Sequence, residues 1–163
     1  AGGDDYLSKP IRQAELLQRR WFAAHPGIHE WHRRTESQLY STRSVRNAFG
    51  YRRFYFDRIE GLLPEALAWV PQSTVAIIIN KGWDNIEDDP ELREVQVLLQ
   101  VHDSLVMQVP VHRAHILLPK IRDALLITVP YPEPLVIPVG VAMSQNSWGE
   151  CSGGSWEPEC LEA

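Results

Sequence analysis

Between Val95 and Pro110 two apolar runs, rich in Val, Leu and Met, enclose the tripeptide His102-Asp103-Ser104. Residues Val95, Val97 and Leu99, then Leu105, Met107 and Val109, recur with a period of two, and Pro110 closes the second run. This spacing predicts a β-hairpin with Asp103 exposed at its tip. No Lys or Arg stands beside Asp103 in the sequence, which leaves its charge free for a cation. Mg²⁺ is the expected ion, because a hard cation held through one or two carboxylates still carries water and substrate phosphates. Asp is also favoured in tight turns, so the tripeptide by itself reads first as an ordinary turn.

The wider stretch Leu99-Gln100-Val101-His102-Asp103-Ser104-Leu105-Val106 resembles motif C of the family A, or polymerase I-like, DNA polymerases. The resemblance implies that Asp103 is a catalytic metal-binding acid and that His102 lies beside the primer 3′ end, as a catalytic and DNA-contacting residue. Without the resemblance, His102 reads as a residue that orders the turn. Ser104 stands where the family carries a glutamate. That departure keeps the principal acid, removes a second carboxylate, and alters the expected metal affinity or rate.

A chain of 163 residues with 44% hydrophobic content is long enough for one domain with a real core. The formal charge of −5 excludes nucleic-acid binding through overall positive charge, so any DNA contact must come from a local basic patch. Cys151 and Cys160 form no CxxC pair and read as reduced thiols. No apolar run approaches the roughly 20 residues of a membrane span, the N-terminus has no signal-peptide layout, and no membrane partner is expected. The chain begins Ala1-Gly2-Gly3 without Met and reads as a piece of something longer.

Residues 1–10 read as a flexible lead-in, with Ser8 as a helix cap and Pro10 in the first turn. Ile11, Ala14, Leu17, Trp21 and Ala24 predict an amphipathic helix that packs through this stripe. His25-Pro26-Gly27 breaks it, and a second helix is expected from Pro26 to Tyr40 with Ile28, Trp31, Thr35 and Leu39 on one face. His29-Glu30-Trp31-His32 is one residue short of a zincin spacing and reads as solvent-facing.

Arg43, Arg46, Arg52, Arg53 and Arg58 then stand against one acid, Asp57, around a turn at Gly50. Guanidinium groups suit phosphates, and the interleaved Tyr51, Phe54, Tyr55 and Phe56 are expected to anchor the strand to the core. Composition alone supports a solvated strand with aromatic core residues equally well. Phe49-Gly50-Tyr51-Arg52-Arg53-Phe54 is similar to a family A segment close to the template–primer, which implies that Arg52 and Arg53 contact DNA.

A third, buried helix is expected from Glu65 to Ile79 with a kink or restart at Pro71. Pro71-Gln72-Ser73-Thr74-Val75-Ala76 resembles the family helix whose glutamine reaches the duplex minor groove, implying DNA contacts from Gln72 and Thr74. Apart from that resemblance, Gln72 reads as a capping or buried-network amide. Lys81–Arg93 reads as an acidic surface loop, Val111–Ile127 as a helix broken at Pro119, and Leu135–Met143 as a last strand. Residues 150–163 read as a loosely ordered tail.

The implied fold is α+β: an antiparallel palm sheet with the motif C hairpin, packed on helices. Residues 11–149 would form the C-terminal part of a family A palm with adjoining fingers helices, of the phage-type branch. The implied reaction is two-metal nucleotidyl transfer, with Mg²⁺ as cofactor and primer–template DNA and dNTP as partners, in the cytoplasm of a bacterial or phage-infected cell. The motif A aspartate and the nucleotide-binding fingers helix are not found in these residues. A further polymerase portion is therefore an expected partner, and the isolated chain is expected to be inactive. A non-catalytic duplex-DNA-binding module or a structural subunit are the alternatives.

Overall fold

The computed structural model describes residues 5–153, with side chains from 11 to 151. It is an α+β chain whose strands pair in four two-stranded sheets and do not join into one. The described residues divide into two compact units. One holds the chain up to Val45 together with Arg52–Ala68; the other holds Arg46–Tyr51 and the chain from Trp69 onward.

In the first unit, α1 (Asp5–Ala24) starts before Ser8, so Ser8 is not its cap and the lead-in is helical from Asp5. The apolar stripe of α1 does not pack as expected: Ile11, Leu17 and Trp21 are each at least half exposed. The break at His25 occurs as the sequence dictates, and α2 (Pro26–Thr42) opens on Pro26, whose fixed φ suits a first helical position. His25 Nδ1 lies 2.7 Å from the Trp21 carbonyl and bonds to the frayed end of α1. His29 stacks on Phe22 with ring centroids 4.4 Å apart. Thr35 and Leu39 are the buried residues of α2, on the face that the periodicity assigns. Arg43 ends the helix in the left-handed region, φ 51°, with its amide bonded to the Leu39 carbonyl at 2.9 Å.

Strands β1 (Ser44–Arg46) and β2 (Arg52–Phe54) pair, with Gly50 supplying φ +85° in the intervening turn. The helix α3 (Leu63–Asp88) runs through Pro71 and through the expected loop, so neither a restart at Pro71 nor a connector at Lys81–Asp88 occurs. Its buried positions explain this. Thr74, Ile78, Gly82 and Ile86 are buried at successive four-residue steps, a ridge that winds slowly round the helix, while Pro71 is exposed and water can satisfy the carbonyl that it leaves unpaired. The acids Asp84, Glu87 and Asp88 are the solvated face of the same helix.

The core of the second unit joins Ile86, Leu92 and Val95 to Ala114, Leu117, Leu118 and Ile121, with Val97, Leu105, Met107 and Val109 packed against it. Leu117, Leu118 and Ile121 belong to α4 (Ala114–Leu125), which follows a 3₁₀ turn at Val111–Arg113 and continues through Pro119 without the expected break. Helices α3 and α4 approach closely at Gly82: a Cβ there would stand 2.6 Å from Leu125 Cδ2. Asn85 Nδ2 donates to the Ala124 carbonyl at 2.9 Å beside it.

Strands β3 (Gln96–Val101) and β4 (Ser104–Gln108) form the expected hairpin. The predicted final strand is not continuous. Strand β5 (Thr128–Val129) pairs with β6 (Leu135–Val136), and β7 (Ala142–Met143) pairs with β8 (Ser152–Gly153). Pro138, which has no N–H to donate, and Gly140 lie in the gap. The expected loose tail is thus paired as far as Gly153. Cys160 and the rest of that tail lie outside the described residues.

Candidate metal and nucleic-acid site

The hairpin tip follows from the pairing register. Val101 faces Ser104, which leaves a two-residue loop of His102 and Asp103. His102 is left-handed, φ +53°, whereas Asp103 is not, the sign pattern of a type II′ hairpin turn. The Ser104 hydroxyl donates to the Val101 carbonyl at 2.9 Å, closing the base of the turn. A carboxylate at this position has no donor to make that bond, so Ser104 here acts on backbone geometry.

His102 and Asp103 are exposed, and among the described residues Asp103 makes no side-chain hydrogen bond or ion pair. No three His, Cys, Asp or Glu side chains converge on a metal site among those residues. The tip therefore offers a divalent ion a single carboxylate, and no complete metal site stands there among the described residues.

Register also corrects the face assignment. Val97 faces Met107 but Leu99 faces Val106, so Leu98 is an extra residue, a β-bulge. Beyond it the alternation on β3 inverts. Gln100 joins the face of Leu105, and Leu99, expected inside, is 47% exposed.

On α3 the two residues expected at DNA differ. Gln72 is exposed and free to reach outward. Thr74 is 5% exposed, and its hydroxyl is used within the fold: it donates to the Val70 carbonyl at 2.8 Å and accepts the Ala48 amide at 3.4 Å. Both bonds of the Thr74 hydroxyl are thus made inside the fold. Its neighbour Ser73 accepts Asn47 Nδ2 at 3.2 Å, while Asn47 Oδ1 accepts the amides of Phe49 and Tyr51 at 3.1 and 3.0 Å. Asn47 was not singled out by sequence. Its signal, an Asn just before a Gly-containing turn, is an Asx-turn pattern.

Arg52 and Arg53 lie on β2, in the other compact unit, and both are exposed. Arg53 pairs with Glu65 and its guanidinium lies 5.1 Å from the Tyr55 ring centroid; Arg52 lies 5.5 Å from that of Phe54. Exposed ion pairs are worth about 0–1 kcal/mol, so a phosphate competes readily for Arg53. Arg43, grouped with the patch by sequence, has a different task. Its Nε donates to the Tyr55 carbonyl and its Nη2 to those of Phe56 and Asp57, the first two at 3.1 Å.

The aromatics do not all anchor the strand. Tyr55 alone is buried, while Tyr51, Phe54 and Phe56 are 58%, 52% and 89% exposed. Among the described residues the Tyr55 hydroxyl has no hydrogen-bond partner. Burial pushes its pKa up, the Arg53 charge opposes this, and Glu65 adds to it.

No protein-family model matches the chain. It is 27% identical over 142 residues to the thermostable DNA polymerase I of Thermus aquaticus and 30% identical over 144 residues to that of Thermus filiformis. It is also 28% identical over 144 residues to the thermostable DNA polymerase I of Thermus thermophilus. Each match covers 83% of this chain, and the chain spans about 17% of the length of these curated relatives. Over most of its described length, then, the chain is similar to bacterial DNA polymerase I, a family A-like relationship.

Proposed function

We propose that these residues are the C-terminal palm segment of a family A DNA polymerase of the phage-type branch. The observation that carries the reading is the unpaired carboxylate of Asp103 on a two-residue turn, held by a hairpin whose inner face packs in the core. In this reading Asp103 contributes one ligand to the catalytic Mg²⁺, which when bound supplies Lewis-acid stabilisation of the attacking and leaving oxygens. His102 stands beside the primer end, Gln72 reaches the minor groove, and Arg52 and Arg53 hold phosphate. The similarity to thermostable DNA polymerase I over 83% of the chain supports the assignment.

One carboxylate is too few for a two-metal centre, so the second acid and the dNTP-binding side chains come from a further polymerase portion. The 163-residue chain alone does not extend a primer. Two measurements test this. Primer extension by the isolated chain, with Mg²⁺ or Mn²⁺, is expected to be absent, and measurable template-dependent extension overturns the claim of inactivity. Mn²⁺ titration followed by NMR is expected to broaden the amides of residues 102–104 in the wild type and not in Asp103→Asn; equal broadening in both overturns the metal role.

A further inference from the structure

Strand β2 ends at Phe54, whose ring is 52% exposed with the Arg52 guanidinium 5.5 Å from its centroid; beyond the strand, Tyr55 is 5% exposed and Phe56 is 89% exposed. A Phe at 89% exposure is unusual, because burying such a ring is a principal source of folding free energy. Nor is this backbone loose. The Arg43 guanidinium grips three successive carbonyls, Tyr55, Phe56 and Asp57, and the Tyr55 amide is bonded to the Arg43 carbonyl at 2.9 Å. The clamp holds the Phe56 backbone in place while its ring stands in solvent.

Charge identifies the occupant. Arg52 and Arg58 flank the two rings and make no ion pair among the described residues, in a chain whose net charge is −5. Exposed aromatic rings with a cation on either side in sequence, and one acid, Asp57, between Phe56 and Arg58, match a strand that is anionic along its backbone and aromatic along its bases. A duplex hides its base faces in the stack and offers these rings nothing, whereas an unpaired strand offers every base.

We propose that Phe54 and Phe56, with Arg52 and Arg58, form a stacking platform for single-stranded nucleic acid. This goes beyond the polymerase reading, which gives Arg52 a phosphate contact and the two Phe rings no role, and it does not depend on Asp103.

The test is fluorescence anisotropy of the full chain with a labelled oligothymidylate, an abasic strand of equal length and a blunt duplex. Phe56→Ala is expected to weaken oligothymidylate binding by roughly 5- to 150-fold, the usual effect of losing one base-stacking ring. Phe56→Trp is expected to keep the affinity, and the abasic strand is expected to bind the wild type no better than oligothymidylate binds Phe56→Ala. Duplex affinity is expected to be the same for wild type and Phe56→Ala. Absence of oligothymidylate binding, equal binding by Phe56→Ala, or equal binding of the abasic strand overturns the platform. None of those results touches the polymerase assignment, whose metal and extension tests use neither ring.

Discussion

Asn47 Nδ2 donates to Ser73 Oγ at 3.2 Å and so ties the turn that precedes β2 to the side of α3. The same carboxamide satisfies two turn amides through Oδ1, and Asn47 is 6% exposed. Asn47→Ala leaves the Phe49 and Tyr51 amides without their acceptor, each at part-buried positions. The expected loss of stability is about 1–3 kcal/mol, read as a lower midpoint in urea unfolding at unchanged slope.

Gly82 is where α3 can come against α4, and Leu125 occupies the space that a side chain would need. Gly82→Val is expected to destabilise the chain by about 1–3 kcal/mol, the usual cost of overpacking, despite the poor helix propensity of glycine. A thermal melt no lower than that of the wild type would contradict the tight crossing.

Tyr55 buries a hydroxyl that finds no partner. Tyr55→Phe removes that orphan and keeps the ring, so stability at neutral pH is expected to be unchanged or up to about 1 kcal/mol higher. The pH dependence follows from the direction of the shift. A folded-state pKa raised above the unfolded value of about 10 favours folding below that value, and the contribution is lost as pH rises through the folded pKa. Wild type is therefore expected to lose stability in strong alkali more steeply than Tyr55→Phe, measured by urea unfolding across that range.

Among the described residues Asp103 has no side-chain partner, so Asp103→Asn is expected to change stability by less than about 0.5 kcal/mol. The unfolding midpoint checks this directly. A large drop would assign the carboxylate a structural task in the turn and weaken its reading as a free metal ligand.

Much of the local structure was legible because it follows from short-range physics. The Pro26 helix start, the left-handed Gly50 and the two-residue tip between Val101 and Ser104 are each set by the residues at the spot. What the sequence obscured was tertiary. The acids Asp84, Glu87 and Asp88 read as a loop, yet Gly82 and Ile86 continue a buried four-residue spacing that overrides them. Pro71 read as a kink or restart and Pro119 as a break, yet α3 does not restart and α4 does not stop there.

At the candidate site, the apolar character of Phe54 and Phe56 suggested burial, and their exposure could not be read from residue type. Thr74, which the resemblance puts at DNA, is buried with its hydroxyl bonded to Ala48 and Val70, partners that carry no sequence signal. The Arg43 clamp was hidden because its acceptors are main-chain carbonyls, which carry no signature in the sequence.

Leu98 has no partner across the ribbon, and its neighbours on both sides keep theirs. Excising this one residue would therefore straighten the ribbon without re-pairing it: Val97 would still meet Met107, Leu99 would still meet Val106, and no side chain would trade sides. Curvature and pairing are thus separable here, and the bend beneath the acidic tip is adjustable by a single codon.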